Sequence, residues 1–135
     1  AAGEGTRMKS SLPKVLQFLA GKSMLEHVKR AILPLTADQT VVVCAPGAQE
    51  RIQKTNTASG EGVICVQQEG AFGTGHALKC ALSKINQDNV VLVLLGDVPL
   101  LRPSTLHKLV ASASKNTLAL LTANIANPKG YGRIV

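Results

Sequence analysis

Two parts of the sequence carry residue types that bind phosphate groups and divalent metal ions. Gly3 and Gly5 let backbone N–H groups approach phosphate oxygens, while Arg7 offers a planar fork of donors and Lys14 a point charge. Asp97 follows the apolar residues 90–95, where a carboxylate oxygen could hold Mg²⁺ bridging phosphates. The alternatives are a surface turn with solvated cations and an aspartate that simply starts a turn.

Other polar residues allow both a binding and a structural interpretation. Gln68 could read the amide edge of a pyrimidine with its own donor and acceptor, or merely finish a strand. Thr74 could contact a ligand and also cap a helix. We interpret His76, His27 and His107 as structural helix residues.

The first loop excludes two common phosphate-binding mechanisms. It lacks the third glycine of the dinucleotide fingerprint and the Gly-Lys-Ser/Thr ending of a P-loop. Any phosphate binding there must therefore follow a different pattern.

Composition limits the class of protein further. A length of 135 residues with 45% hydrophobic residues suits one domain, residues 1–135. The formal charge of +7 indicates an anionic partner, but 2% aromatic residues and the lack of an RNA-binding motif argue against nucleic acid. No apolar run is long enough to span a bilayer. Three cysteines without zinc-site spacing suit buried positions in a reducing cytosol.

Helix and strand patterns alternate along the chain. The predicted elements are a helix beginning at Ser23 with a Ser-x-x-Glu capping box and ended by Pro34, strands at 40–45, 63–66, 90–95 and 118–123, and helices at 47–55, 74–85 and 103–112. This order predicts an α/β, Rossmann-like, mostly parallel sheet with helices on both faces. Ligands of such sheets bind beyond the carboxyl ends of the strands, which directs attention to residues 3–14, 67–75 and 96–100.

Four segments in this order resemble the sugar nucleotidyltransferases, and in particular their N-acetylglucosamine-1-phosphate uridyltransferase branch. They are AAGEGTRM with Pro-Lys at 13–14, Gln68 followed by GTGHA at 73–77, GDVPL at 96–100 and GYGRI at 130–134. Each segment alone is uninformative, whereas the four together are specific. The resemblance implies a fold of the nucleotide-diphospho-sugar transferase type, incomplete at both ends.

The resemblance also implies a role for individual residues. The backbone of Ala1, Ala2 and Gly3 would line the nucleoside pocket, and Gly5, Thr6 and Arg7 would hold phosphates. Lys14 would neutralise the triphosphate, Gln68 would read uracil, Gly73 and Thr74 would complete the base and sugar pocket, Asp97 would hold Mg²⁺, and Gly132 would lie beside the N-acetyl sugar.

The implied reaction is transfer of UMP from UTP to N-acetylglucosamine-1-phosphate, with Arg7, Lys14 and Asp97 as catalytic residues. It would take place in the cytoplasm and supply cell-wall and lipopolysaccharide precursors. In this branch a first strand precedes Ala1, further sugar ligands and a second metal ligand follow Val135, and an acetyltransferase half mediates any homo-oligomer. Glu4 and Ala71 stand at positions where the branch usually has other residues. Two alternatives to this function therefore stay open: another sugar-1-phosphate nucleotidyltransferase, or a non-catalytic nucleotide-binding domain.

Overall fold

A computed structural model describes residues 10, 12–55, 62–70, 72–86 and 88–134. Within these residues the α-helices are α1 (Met24–Ile32), α2 (Gln49–Thr55), α3 (Gly73–Leu82) and α4 (Pro103–Ala111). The strands are β1 (Phe18–Leu19), β2 (Lys22–Ser23), β3 (Thr40–Cys44) and β4 (Val63–Gln67). Short 3₁₀ helices span Lys14–Leu16 and Leu33–Leu35. No helix in this described part is long and apolar enough to cross a bilayer.

The unit that positions the candidate site is the parallel pair β3 and β4. Thr40 pairs with Val63 and Cys44 pairs with Gln67, so both strands end at the same edge. The Gln68 backbone N–H continues the ladder by donating to the Cys44 carbonyl at 2.9 Å. Both strands are rich in β-branched residues, which favour a pleated, buried surface. The predicted α/β unit of strand, helix and parallel strand is confirmed here, with α2 as the connecting helix.

Helix α1 begins at the capping box that the sequence predicts. The Ser23 hydroxyl accepts a hydrogen bond from the Glu26 backbone N–H at 3.2 Å, which satisfies one of the N–H groups that a helix start leaves unpaired. Pro34 follows the end of α1 at Ile32 and lies in a short 3₁₀ turn. Both predicted boundaries of this helix are therefore confirmed.

Removal of this cap should lower stability measurably. Ser23 is buried, so Ser23→Ala leaves the Glu26 N–H without its acceptor, and we expect a loss of about 1 kcal/mol in the free energy of unfolding. Urea denaturation followed by circular dichroism measures this loss. Ser104→Ala, at an exposed position of α4, is the matched control and should change stability by less than about 0.5 kcal/mol. Equal losses in the two variants would contradict the capping role.

The hydrophobic core combines residues from β3, from the 3₁₀ turn and α1 before it, and from the start of α2 after it. Its buried members are Val15, Leu16, Leu25, Val42, Cys44, Ala48 and Ile52, with Leu12, Val63 and Cys65 packed against them. Cys44 is buried as the sequence predicts, whereas Cys65 and Cys80 are only partly buried, and all three cysteines are free thiols. Burial raises the pKa of both the Cys44 and the Cys65 thiols. A raised pKa disfavours the thiolate form, which is consistent with a packing role for these two residues.

The sequence did not indicate the short hairpin that precedes α1. Strands β1 and β2 pair antiparallel, and the turn residues Ala20 and Gly21 both have positive φ, of 48° and 78°. A two-residue turn with positive φ at both positions is the hairpin connection that matches strand twist. Two-residue strands are too short to show an alternating pattern, and a glycine at position 21 alone does not predict a hairpin.

Two of the predicted strands do not form in the structure, so these two predictions are wrong. Residues 90–95 and 118–123 form neither helix nor strand, and their apolar side chains are largely exposed; Val90, for example, is 55% and Leu118 90% exposed. An apolar run becomes a strand only when neighbouring strands satisfy its backbone N–H and C=O groups. No strand of the described residues pairs with either segment. Within those residues the parallel sheet consists of β3 and β4.

Candidate functional site

Lys14 and Asp97, two of the three predicted catalytic residues, are in direct contact. The Lys14 Nζ donates to the Asp97 Oδ2 at 2.6 Å, across 83 positions of sequence. Both side chains are partly exposed, at 42% and 32%, so a ligand can reach them. The sequence assigned the two residues to one phosphate and metal site, and the structure places them together.

Local packing holds Lys14 in place. It begins a 3₁₀ turn whose next two residues, Val15 and Leu16, are buried in the core. The amide of Gln17 donates to the Ser10 hydroxyl at 2.8 Å and to the Leu12 carbonyl at 3.1 Å, which ties the preceding loop to this turn. The lysine therefore extends from an anchored backbone.

Asp97 lies in a turn between residues 95 and 98. The Val98 backbone N–H donates to the Leu95 carbonyl at 3.3 Å, and the adjacent Gly96 is buried. The hydrogen bond from Lys14 holds the pKa of the Asp97 carboxyl below its ordinary value, although partial burial opposes this effect. The carboxylate is thus ionised at neutral pH, as a metal ligand must be.

The residues around Asp97 fit a Mg²⁺ ion that is held by one carboxylate and completed by substrate phosphates and water. The described residues contain no group of three or more His, Cys, Asp or Glu side chains that could enclose a metal ion. Mg²⁺ is usually held by one or two carboxylates together with substrate phosphates and water. An ionised, accessible carboxylate that is not enclosed by other metal-binding side chains of the described residues meets that requirement.

A second cluster forms where β4 ends. Gln68 is buried, at 3% exposure, and its Nε2 donates to the Gly73 carbonyl at 3.1 Å. The same Nε2 lies 3.0 Å from Nδ1 of His76. Gly73 starts α3 with a φ of +83°, a left-handed conformation that favours glycine. Two of the three residues predicted for the base and sugar pocket, Gln68 and Gly73, are therefore in contact, as their position at a strand's carboxyl end suggested.

Other predicted site residues have different outcomes. Thr74 does not cap α3, because the helix already begins at Gly73 after Phe72, and Thr74 lies exposed in its first turn. The local reason is that Gly73 can adopt the helix-start conformation without a side-chain cap. Gly132 lies in the exposed final segment, where an added Cβ would meet no heavy atom within 4 Å. The predictions for Ala1, Ala2, Gly3, Gly5, Thr6 and Arg7 lie outside the described residues.

The three histidines differ in their surroundings. His27 on α1 has its Nε2 2.7 Å from the Leu19 carbonyl, and His107 is exposed on α4. His76 contacts a predicted site residue, which sequence reasoning missed. Its only signal in the sequence was its position one turn into the helix that follows Gln68.

These features fit an α/β domain that binds a nucleotide through its phosphates and a divalent metal ion. The chain belongs to the MobA-like NTP transferase domain family, whose sequence model matches residues 1–131. This membership confirms the α/β nucleotide-diphospho-sugar transferase class expected from the sequence.

The relatives are bacterial proteins named "Bifunctional protein GlmU". The chain is 48% identical over 139 residues to that of Albidiferax ferrireducens, 50% over 137 residues to that of Paracidovorax citrulli, and 42% over 135 residues to that of Acinetobacter baumannii. Each alignment covers 100% of this chain but only 30%, 29% and 29% of the relative, respectively. The chain thus spans less than a third of the length of these proteins.

Proposed function

We propose that this chain is a nucleotidyltransferase domain that transfers UMP from UTP to N-acetylglucosamine-1-phosphate, yielding UDP-N-acetylglucosamine and pyrophosphate. The observation that carries the proposal is the Lys14–Asp97 pair, formed by two separate motifs of the uridyltransferase branch. Support comes from membership of an NTP transferase family and from the whole-chain similarity to proteins named GlmU.

The reaction is an in-line displacement at phosphorus. A phosphate oxygen of the sugar phosphate forms a bond to the α-phosphorus of UTP, while the bond from that phosphorus to the bridging oxygen of the β-phosphate breaks. The nucleophilic oxygen is already anionic at neutral pH, so no general base is needed. His76 is therefore not required as a base, and rate enhancement rests on positioning and charge stabilisation.

The described residues supply part of that stabilisation. Lys14 would place its ammonium group against the triphosphate, and Asp97 would hold Mg²⁺. When bound, Mg²⁺ neutralises phosphate charge and orients the phosphate oxygens. In the structure Lys14 and Asp97 neutralise each other. Substrate binding would replace this contact by lysine on phosphate and carboxylate on metal. Arg7 would add its fork of donors to the phosphates.

We also propose where the reaction takes place and what it serves. The three free thiols suit a reducing compartment, and we place the protein in the cytoplasm. The product would be a precursor for cell-wall and lipopolysaccharide synthesis. Residues 1–135 would form part of the nucleotidyltransferase domain of a longer protein, since the relatives extend well beyond the matched region.

Calorimetric titration and a pyrophosphate-release assay on one preparation of the full-length protein test the proposal. We expect UTP to bind in the presence of Mg²⁺, and pyrophosphate to appear only when N-acetylglucosamine-1-phosphate is added. UTP binding with no pyrophosphate release would instead show a non-catalytic nucleotide-binding domain.

A further inference from the structure

We propose that His76 is a positioning residue that fixes the direction of the Gln68 amide and thereby selects a pyrimidine with an N–H donor at ring position 3. The inference deepens the proposed function and rests on it, because it requires Gln68 to face the base of the nucleotide. It concerns a residue with no place in the transfer chemistry described above.

The direction of the Gln68 amide follows from its two neighbours. The Gly73 carbonyl oxygen, 3.1 Å away, can only accept a hydrogen bond, so the amide must present nitrogen to it and not oxygen. The second hydrogen of that nitrogen is then available to His76 Nδ1 at 3.0 Å. Nδ1 must accept this hydrogen bond, so the ring proton of neutral His76 resides on Nε2.

With both hydrogens of its Nε2 in use, the Gln68 amide has one hydrogen-bonding role left, which is to accept through Oε1. No residue of the described part donates a hydrogen bond to Oε1. An acceptor is complementary to uracil, which has a donor at N3, and opposes cytosine, whose N3 is itself an acceptor. A locked amide thus discriminates between the two bases.

His76 is well placed to lock the amide. It lies in the first turn of α3, and the Phe72 ring packs against its imidazole edge to face, with centroids 5.1 Å apart. Cys80, one turn further along α3, has its Sγ 3.9 Å from Nδ1. Without the imidazole, the Gly73 carbonyl would be the one described partner left to the Gln68 amide, and the side chain could rotate away from this single hydrogen bond. An amide released in this way can turn its donor as well as its acceptor toward the base, which weakens the preference for uracil over cytosine.

The test compares kcat and KM for UTP and CTP in the full-length protein. His76→Leu removes the acceptor, and we expect KM for UTP to rise about tenfold with kcat nearly unchanged, and the preference for UTP over CTP to fall by a similar factor. His76→Asn returns an acceptor near the Nδ1 position and should recover most of the selectivity. His107→Leu, at an exposed position of α4, is the matched control and should behave as wild type.

Repeating His76→Leu in a protein that also carries Gln68→Ala separates a positioning role of His76 from a general packing role. If His76 acts through Gln68, His76→Leu should have no further effect on KM or selectivity once Gln68→Ala is present. Should His76→Leu fail to fold, His76→Gln replaces it, because its acceptor lies at a different place and selectivity should still fall. Thermal melts verify that each variant is folded.

The outcomes distinguish this inference from the proposed function. A wild-type protein that neither binds nor turns over UTP would overturn both. A wild-type protein that uses UTP, with His76→Leu retaining its KM and selectivity, would overturn the role of His76 alone. Independent, multiplicative effects of the His76 and Gln68 substitutions would do the same.

Discussion

Asp97→Asn in the full-length protein should lower kcat for pyrophosphate release by about 10³-fold or more, while the fold stays intact. The substitution keeps the size of the side chain and an oxygen that can accept from Lys14, but it removes the negative charge that Mg²⁺ requires. Because the ion pair is partly exposed, the free energy of unfolding should change by less than about 1 kcal/mol. Steady-state kinetics at saturating UTP and a thermal melt measure the two effects.

Asp38→Asn provides the matched control for this substitution. Asp38 is exposed in the loop before β3, so its replacement removes the same charge from the protein without altering the Lys14–Asp97 contact. We expect unchanged kcat in this variant. Near-normal turnover by Asp97→Asn would remove Asp97 from the mechanism.

Lys14→Met should reduce kcat/KM for UTP by about 10²-fold. Methionine keeps most of the length of the side chain and its apolar stem, so the variant loses the ammonium group that would oppose the triphosphate charge. The 3₁₀ turn should persist, since Val15 and Leu16 anchor it in the core. Pyrophosphate release at varied UTP concentration measures the loss.

A lysine elsewhere controls for the change in net charge. Lys84→Met lies on the exposed segment after α3 and should leave kcat/KM unchanged. In the Lys14→Met variant, excess Mg²⁺ should not restore activity, because the missing charge acts on phosphate. Full recovery in excess Mg²⁺ would mean that Lys14 only tunes the metal site.

The sequence predicts local structure well where the signal itself is local. The capping box at Ser23 and Glu26 fixes the start of α1, and the run of β-branched residues that opens the segment 40–45 predicts β3 to within one residue. The spacing of apolar residues also predicts α3, although the helix begins at Gly73, one residue before the predicted start, and ends at Leu82, three residues before the predicted end. For the two helices, short-range hydrogen bonds and side-chain sterics determine the outcome, and these depend on neighbouring residues only.

Strand formation depends on partners that a local pattern does not contain. Residues 90–95 and 63–67 are similarly apolar, yet only the latter segment finds a neighbour, β3, with which to exchange hydrogen bonds. Hydrophobicity therefore predicts the tendency to form a strand, while pairing depends on the rest of the fold. The two-residue strands of the hairpin illustrate the opposite case, since they pair despite showing no pattern.

The candidate site shows the same division. The residue types of Lys14 and Asp97 indicate their chemistry, but the expectation that positions 83 residues apart act together came from the predicted sheet and from the resemblance. The contact between Gln68 and His76 was not predicted, because helical spacing does not reveal what a side chain in the first turn of α3 touches. Chain topology, and not composition, supplies these contacts.

The most direct test of the central claim is the initial rate of nucleotide-sugar formation by the full-length protein, with UTP, Mg²⁺ and a panel of sugar-1-phosphates. We predict selective turnover of N-acetylglucosamine-1-phosphate, with stoichiometric release of pyrophosphate. Preference for another sugar phosphate would retain the nucleotidyltransferase class and contradict the proposed substrate. No turnover of any sugar phosphate by a folded protein would contradict the catalytic function itself.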